Sequence, residues 1–408
     1  MISLRTAQRL VARHGLVLET EIVPADLALG RVLGQDIRSP IPLPVFDNSA
    51  MDGFALRYQD TTRASARQPV VLAIRRTIFA GDTASYRLRA GDTCRIMTGA
   101  PLPRGANTII PKEQAIVDGS TLRIVESLTR RRHVRRRGEE VREGALVLKS
   151  GSTVHPGTLA CLAGMGRDRV QVIRKPRVAV ISTGDETVAP GRHLAYGQIY
   201  DSNSHMVKAM LRDMGIEPVF VRRVKDRRAP LARAVDTALS KSDVLVVIGG
   251  VSVGEHDYLR PVLGDKGVKT VFWGVRQKPG KPIYFGTKGK RLVFGLPGNP
   301  ASAFTCFYIY VYPTLRRLSG FHDWELPRRS LPLTGAVDAD CKRVMLLKGK
   351  YHATPKPSVE RLPNQGSHMI TSLAETDSLI AVPATGKRVA RGSKVVVYQL
   401  PRARQGDR

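Results

Sequence analysis

The chain has 408 residues, 42% of them apolar, enough for two to four domains with separate cores. Lysine and arginine outnumber aspartate and glutamate by 65 to 35, and the formal charge of +30 favours anionic partners of any class. Aromatics are sparse, four cysteines lie far apart, and neither a signal-peptide core nor a run of about 18 apolar residues occurs; base-stacking surfaces, a disulfide or structural-metal framework, secretion and membrane spans are therefore not expected, and a reducing cytoplasm is. In chain order, residues 2–15 put Leu4, Ala7, Leu10 and Val11 on one helical face. Pro40, Pro42 and Pro44 mark a linker, because each fixes φ and withholds a backbone donor. From 47 to 137, short apolar runs beginning at Phe54, Val70, Cys94 and Thr108 alternate with turn residues, the spacing of a small β-rich domain. The run Arg130-Arg-Arg-His-Val-Arg-Arg-Arg137 reads first as a solvated face. From 177 the pattern changes to strand at 178–181, helix at 204–214, strand at 218–221, helix at 231–239 and strand at 244–248, the rhythm of βαβ units and a mostly parallel sheet. Two further strands, 271–275 and 292–294, are expected to run parallel to 244–248 and to end beside it. Residues 301–311 predict a buried helix, and alternating apolar residues beyond 320 predict a small all-β domain.

The loops after these strands carry the chemistry. Ser182, Thr183 and Gly184 suit a phosphate, while Asp185 or Glu186 suits a hard cation. Asp201 opens the next helix and is either a ligand or its cap. Gly249, Gly250, Ser252 and Gly254 form a glycine-rich turn that ends at Asp257. Lys278 and Lys281 stand on a turn stiffened by two prolines, which lowers the entropic cost of meeting an oxyanion. Pro297, Gly298 and Pro300 lead into the apolar helix, whose N-terminus is expected to serve as an anion site. In a parallel sheet all of these loops fall at the strand C-termini, where ligands bind. Asp52 and Thr98, in the β-rich part, would by themselves be plain turn residues. No nucleophile elbow, Walker loop or clustered His/Cys set is present, so the chemistry reads as metal-assisted and electrostatic.

Taken together, the motifs resemble the MoeA/gephyrin E-domain family, the molybdopterin molybdotransferases. The matching blocks are Phe46-Asp-Asn-Ser-Ala-Met-Asp-Gly53, Arg95-Ile-Met-Thr-Gly-Ala-Pro-Leu-Pro103, Ser182-Thr-Gly-Asp-Glu186, Gly197-Gln-Ile-Tyr-Asp-Ser-Asn203, Gly249-Gly-Val-Ser-Val-Gly254 with Asp257, Lys278-Pro-Gly-Lys-Pro282, Gly295-Leu-Pro-Gly-Asn-Pro-Ala-Ser-Ala303 and Gln365-Gly-Ser-His368. The resemblance implies an α/β plus β protein of four domains: a molybdopterin-binding αβα domain (1–24 with 175–320), a linker domain (25–46 with 138–174), a β-rich inserted domain (47–137) and a C-terminal β-barrel-like domain (321–408). It further implies a homodimer in which Asp52 and Thr98 complete the crevice of the partner subunit. The implied reaction inserts molybdate into the dithiolene of adenylylated molybdopterin and releases AMP. Catalytic roles would fall to Asp52, Thr98, Glu186 and Asp257, and Mg²⁺ would be held by Asp185, Glu186, Asp201 and Asp257. Lys278 and Lys281 would attract molybdate or the pterin phosphate, Pro297 and Pro300 would shape the pocket wall, and the adenylyltransferase of the same pathway is a candidate partner.

Three positions depart from the family pattern. Ile248 replaces a hydroxyl residue before the glycine pair, Glu140 stands where Asp is usual, and Gln277 precedes the lysine turn where an apolar residue is more common. Two competing classes remain, a scaffold that keeps the fold without the chemistry and a nucleic-acid binder suggested only by charge. Affinity for duplex DNA measured against salt separates the second: no binding is expected near physiological ionic strength, and binding there would restore nucleic acid as a partner.

Overall fold

The computed structural model describes residues 1–83, 86–251 and 258–401. It divides into two compact units, Ile22–Gln171 and Met1–Glu21 with Val172–Arg408. In Ile22–Gln171 the strands follow the spatial order Thr108–Pro111, Gly53–Leu56, Asp92–Ile96, Val70–Ile78, Thr121–Ile124 and Ile116–Asp118. Phe54, Leu56, Leu72 and Ile110 enter one buried cluster, while Ala55, Ile78, Cys94 and Ile109 enter another. The four expected strands are all present. The hairpin from Ile116 to Ile124 was not anticipated, since Ile116 and Val117 are exposed and give no inward alternation.

The other unit holds a six-stranded sheet in the order Phe220–Val224, Val178–Thr183, Val244–Ile248, Arg291–Leu296, Tyr284–Lys288 and Lys269–Trp273. The first four pair in parallel. Alternate side chains reach opposite faces, as strand geometry requires. Val178, Val180, Val244, Val246 and Phe294 pack with the helices Leu4–His14, Ser202–Asp213 and Pro300–Cys306. Ala179, Ile181, Leu245 and Val247 pack with Arg228–Lys241 and Leu259–Asp265. The result is the mostly parallel sheet that the strand–helix rhythm predicts, in the αβα layering that the resemblance implies.

One expectation changes. Lys269–Trp273 points the same way as Val244–Ile248 but is not paired in parallel with any strand; Tyr284–Lys288 lies between it and Arg291–Leu296, antiparallel to both. The short loop Gly289–Lys290 joins these strands as a hairpin, a connection open only to antiparallel neighbours.

The expected buried helix extends as Pro300–Cys306, a π-turn over Phe307–Val311, and Tyr312–Leu318. Beyond it a mostly antiparallel sheet runs from Val344–His352 through Ser378–Val382 and Lys394–Gln399 to Arg328–Pro332. Its other edge is the two-residue strand Gln277–Lys278, paired in parallel with Val344–His352. Among the described residues all four cysteines are free thiols, and no helix is long and apolar enough to cross a membrane.

At the N-terminal end of the parallel sheet, Asp243 accepts hydrogen bonds from Arg174 Nη1 (2.6 Å) and Nη2 (3.0 Å) and from the backbone N–H of Arg177 (2.8 Å). Burial works to raise the Asp243 carboxyl, but the bonds from Arg174 and Arg177 prevail and hold it below the usual carboxylate range. Asp243→Asn should destabilise the fold by about 2 kcal/mol near neutral pH, measured by urea unfolding. Because the folded carboxyl titrates below the unfolded one, this contribution is complete above a pH of about 4 and fades as pH falls below it. A stability gap that stayed constant into strong acid would contradict the assignment.

Candidate active site

Register brings Ser182, Ile248 and Leu296 side by side, so the chain leaves the sheet at Thr183, Gly249 and Pro297 along one edge. These exits line a cleft of about 850 Å³, within the range of small-molecule sites. Gly249 has φ +90°, and a Cβ there would lie 2.8 Å from both the carbonyl oxygen and Oγ1 of Thr183. Gly298 faces it, since its own Cβ position is 3.8 Å from the Gly249 Cα. Gly249 thus packs directly on Thr183 and Gly298 on Gly249, so main chain rather than side chain forms this part of the cleft wall.

Ser182 donates through Oγ to Asp201 Oδ2 (3.0 Å), and the backbone N–H of Ser204 donates to Asp201 Oδ1 (3.0 Å). Asp201 is thus the buried N-cap of the helix Ser202–Asp213, and each of its oxygens also keeps a further lone pair. Asp185 Oδ1 accepts from the backbone N–H of Asp226 (3.0 Å) and Asp185 does not line the cleft, whereas Glu186 does. The Glu186 carboxylate folds over Gly184, 2.9 Å from where a Cβ would stand, so any side chain at 184 would displace it.

Among the described residues Thr183 Oγ1 and Asn203 Oδ1 are buried polar atoms on the cleft walls with no partner. Unpaired buried polar atoms are costly, and their presence in a cleft points to a ligand that completes them. Asn203 is fixed by donating from Nδ2 to the Gly298 carbonyl (2.6 Å). That bond ties the helix start to the 297–300 turn and directs the amide oxygen as an acceptor for N–H or O–H groups. Ile199, Tyr200, Ile370, Pro282, Pro297 and Pro300 supply apolar wall.

Ser182, Thr183, Gly184, Glu186, Asp201, Gly249, Gly250, Pro297, Gly298 and Pro300 therefore meet in one place. Lys278 and Lys281 are exposed and do not line the cleft, although their turn reaches it at Pro282. Ser252, Gly254 and Asp257 lie outside the described residues. Ile248 lines the cleft as an apolar floor beside Ser182. The expected anion site at the helix N-terminus is not available: Ala301 N–H donates to the Ser367 carbonyl, and Ser302 and Ala303 N–H donate to the Asn299 carbonyl. Among the described residues no three His, Cys, Asp or Glu side chains converge as a metal cluster.

Asp52 and Thr98 come together within the β-rich unit. Asp52 Oδ1 accepts from both the N–H and the Oγ1 of Thr98, each at 2.8 Å, and Lys112 Nζ lies 3.7 Å from Oδ2. The bonds from Thr98, backbone first, hold the exposed Asp52 carboxyl below the usual range, so it is ionised at neutral pH.

Several contributors carried no site assignment in the sequence. Asn203 sits inside a recognised motif, but its role depends on the Gly298 carbonyl, distant in sequence. His368 and Ile370 arrive from the C-terminal segment, docked by Asn299 Nδ2 to Ser367 Oγ (3.1 Å). Trp273 donates its indole N–H to the Val251 carbonyl (2.9 Å) and fixes the backbone where the glycine-rich turn departs.

Gly249→Ala tests the close approach. It should cost about 1–3 kcal/mol of stability and shift Thr183, seen as a lower thermal midpoint; an unchanged midpoint would show that the contact is not tight.

Residues 2–166 match the MoeA N-terminal region (domain I and II), 179–317 a probable molybdopterin binding domain, and 330–400 the MoeA C-terminal region (domain IV). The chain is 35% identical over 407 residues to molybdopterin molybdenumtransferase 2 of Mycobacterium tuberculosis, covering 98% of this chain and 100% of that protein. It is 34% identical over 383 residues to the molybdopterin molybdenumtransferase of Haemophilus influenzae, covering 93% of each. A crystal structure of a molybdopterin biosynthesis MoeA protein from Pyrococcus horikoshii superposes with a TM-score of 0.85 at 31% identity, covering 98% of this chain and 99% of that one. With all three regions matched in order and relatives of this likeness spanning nearly the whole length, the chain belongs to the MoeA family of transferases.

Proposed function

We propose that the protein is a molybdopterin molybdenumtransferase of molybdenum cofactor biosynthesis that takes adenylylated molybdopterin and molybdate and releases AMP. The observation that carries this reading is the pair of unpartnered buried oxygens, Thr183 Oγ1 and Asn203 Oδ1, in a cleft at the strand C-termini. Thr183 Oγ1 is suited to donate to a phosphate oxygen of such a ligand, and Asn203 Oδ1 to accept from one of its hydroxyl or amino groups. The bare backbone at Gly249 and Gly298 receives phosphate, and Tyr200 with Ile199 and Ile370 forms an apolar wall for a planar ring. Lys278 and Lys281, on the turn leading to the cleft, attract the molybdate dianion and hold it near the mouth.

A Mg²⁺ ion suits this donor set, because magnesium commonly takes one or two carboxylates and completes its shell with substrate phosphates and water. Glu186 and Asp257 would hold it, with Asp201 contributing through a lone pair not already used, and bound there it would polarise the phosphoanhydride. Glu186 lines the cleft and would orient the attacking oxygen. Water adds its oxygen to the adenylyl phosphorus as the bond to the bridging oxygen breaks; AMP leaves with the new oxygen, the bridging oxygen stays on the pterin phosphate, and the proton released passes to solvent.

The protein would work in the cytoplasm as a homodimer of four-domain subunits divided near residues 25, 47, 138, 175 and 321. Asp52, ionised and locked to Thr98, would complete the cleft of the partner subunit. That role accounts for a fixed, charged turn with no ligand task inside its own unit.

Incubation with adenylylated molybdopterin, Mg²⁺ and molybdate should yield AMP and molybdenum cofactor, and Glu186→Gln should slow AMP release by about 100-fold. Absence of AMP release by the parent protein, with ligand bound, would replace the enzyme by a scaffold. Mixing Asp52→Ala and Glu186→Ala subunits tests assembly across the dimer. Random pairing should restore about a quarter of parental activity from two inactive homodimers, and a mixture that stays inactive would rule the shared site out.

A further inference from the structure

Gln277 interrupts an otherwise apolar interior directly before the lysine turn. Its side chain is fully buried, as are Tyr310 and Cys306 around it. Its amide nitrogen donates to the carbonyls of Pro279 (3.1 Å) and Gly280 (3.4 Å) and lies 3.6 Å from Cys306 Sγ. Its amide oxygen accepts from the hydroxyl of Tyr310, which stands on the π-turn of the buried helix. This orientation is the one the partners require: backbone carbonyls can only accept, so the nitrogen must face them and the oxygen must face the phenol.

The turn itself is poor in means of self-support. Pro279 and Pro282 have no backbone N–H, and two carbonyls point inward. Gly280 closes against the cluster so tightly that a Cβ would lie 2.4 Å from Cys306 Sγ and 2.7 Å from Gln277 Nε2, at φ +86°. The backbone of Gln277 is pinned as well, paired with Val344 in the C-terminal sheet. An apolar residue at 277 would fill the space but take this partner from the Pro279 carbonyl and the Tyr310 hydroxyl, and leave the Gly280 carbonyl to the Ile283 N–H and the Cys306 thiol.

We infer that Gln277, anchored by Tyr310, is a positioning residue that sets the Lys278–Lys281 turn for oxyanion binding. The inference rests on the role proposed above for the two lysines. Gln277 touches no ligand and acts by holding the peptide groups between the two ammonium-bearing residues. Tyr310 supplies the fixed point, since its helix is buried along the whole of Phe307–Val311.

The test compares the full-length parent with Gln277→Leu, Tyr310→Phe and the double variant. Hydrogen exchange is followed at the amides of Val275 and Ile283, which donate to the carbonyls of Lys281 and Gly280, and molybdate is titrated calorimetrically. Gln277→Leu should speed exchange at both amides and weaken molybdate binding, each by about tenfold. In the double variant no buried hydroxyl is left without its partner, so the thermal midpoint should recover toward the parent while exchange and affinity remain at the Gln277→Leu level. Parental exchange and affinity in Gln277→Leu would overturn the inference, as would recovery of both together with stability in the double variant. A parent that binds no molybdate would instead remove the oxyanion role of the lysines, and the exchange data would still decide whether Gln277 holds the turn.

Discussion

The alignment of three parallel strands at Ser182, Ile248 and Leu296 is the constraint on which the cleft depends. Because these residues are paired in register, the chain must leave the sheet three times within a few ångströms, at Thr183, Gly249 and Pro297. A side chain at 249 would collide with Thr183, so the second exit has to be glycine. The same alignment sets Asp201 beneath the first exit, where it caps the next helix and receives the Ser182 hydroxyl. What the sheet leaves unsatisfied, Thr183 Oγ1 and Asn203 Oδ1, lies in the cleft formed at this edge.

Around this edge the C-terminal sheet acts as a second support. It reaches the cleft with His368 and Ile370, and the Ser367 carbonyl takes the Ala301 N–H that begins the buried helix. Its edge strand is Gln277–Lys278, so the lysine turn belongs at once to the αβ layer and to the C-terminal sheet. Lys348, almost fully buried, donates to the carbonyls of Gly366 (3.4 Å) and Met369 (3.3 Å), and burial alone lowers its pKa. These contacts hold the loop around His368, so the cleft is walled by backbone that distant residues keep in place.

Much of this was legible because it is local. Strand runs such as Val244-Leu-Val-Val-Ile248 and glycine pairs directly after them carry their own signal, and the order of motifs indicated the family. The unread parts depend on partners far away in sequence. Tyr284–Lys288 was hidden because a strand inserted antiparallel in a parallel sheet has no periodicity that sets it apart from its neighbours. Occupation of the helix N-terminus could not be foreseen because its acceptor, Ser367, lies more than sixty residues downstream. Gln277 was visible only as a departure from pattern, and Tyr310, which explains it, looked like one more aromatic residue in an apolar helix. Asp52 and Thr98 sit on turns far apart in sequence that only the resemblance joins, and in the fold they are hydrogen-bonded at 2.8 Å.

The central claim is that ligand binds where the strand exits leave polar atoms unpaired. A crystal structure of the protein grown with AMP tests it most directly. The account predicts AMP seated in the cleft with Thr183 Oγ1 or Asn203 Oδ1 newly hydrogen-bonded and the nucleotide against the bare backbone of Gly249 and Gly298. AMP bound elsewhere, with both oxygens still unpaired, would contradict it.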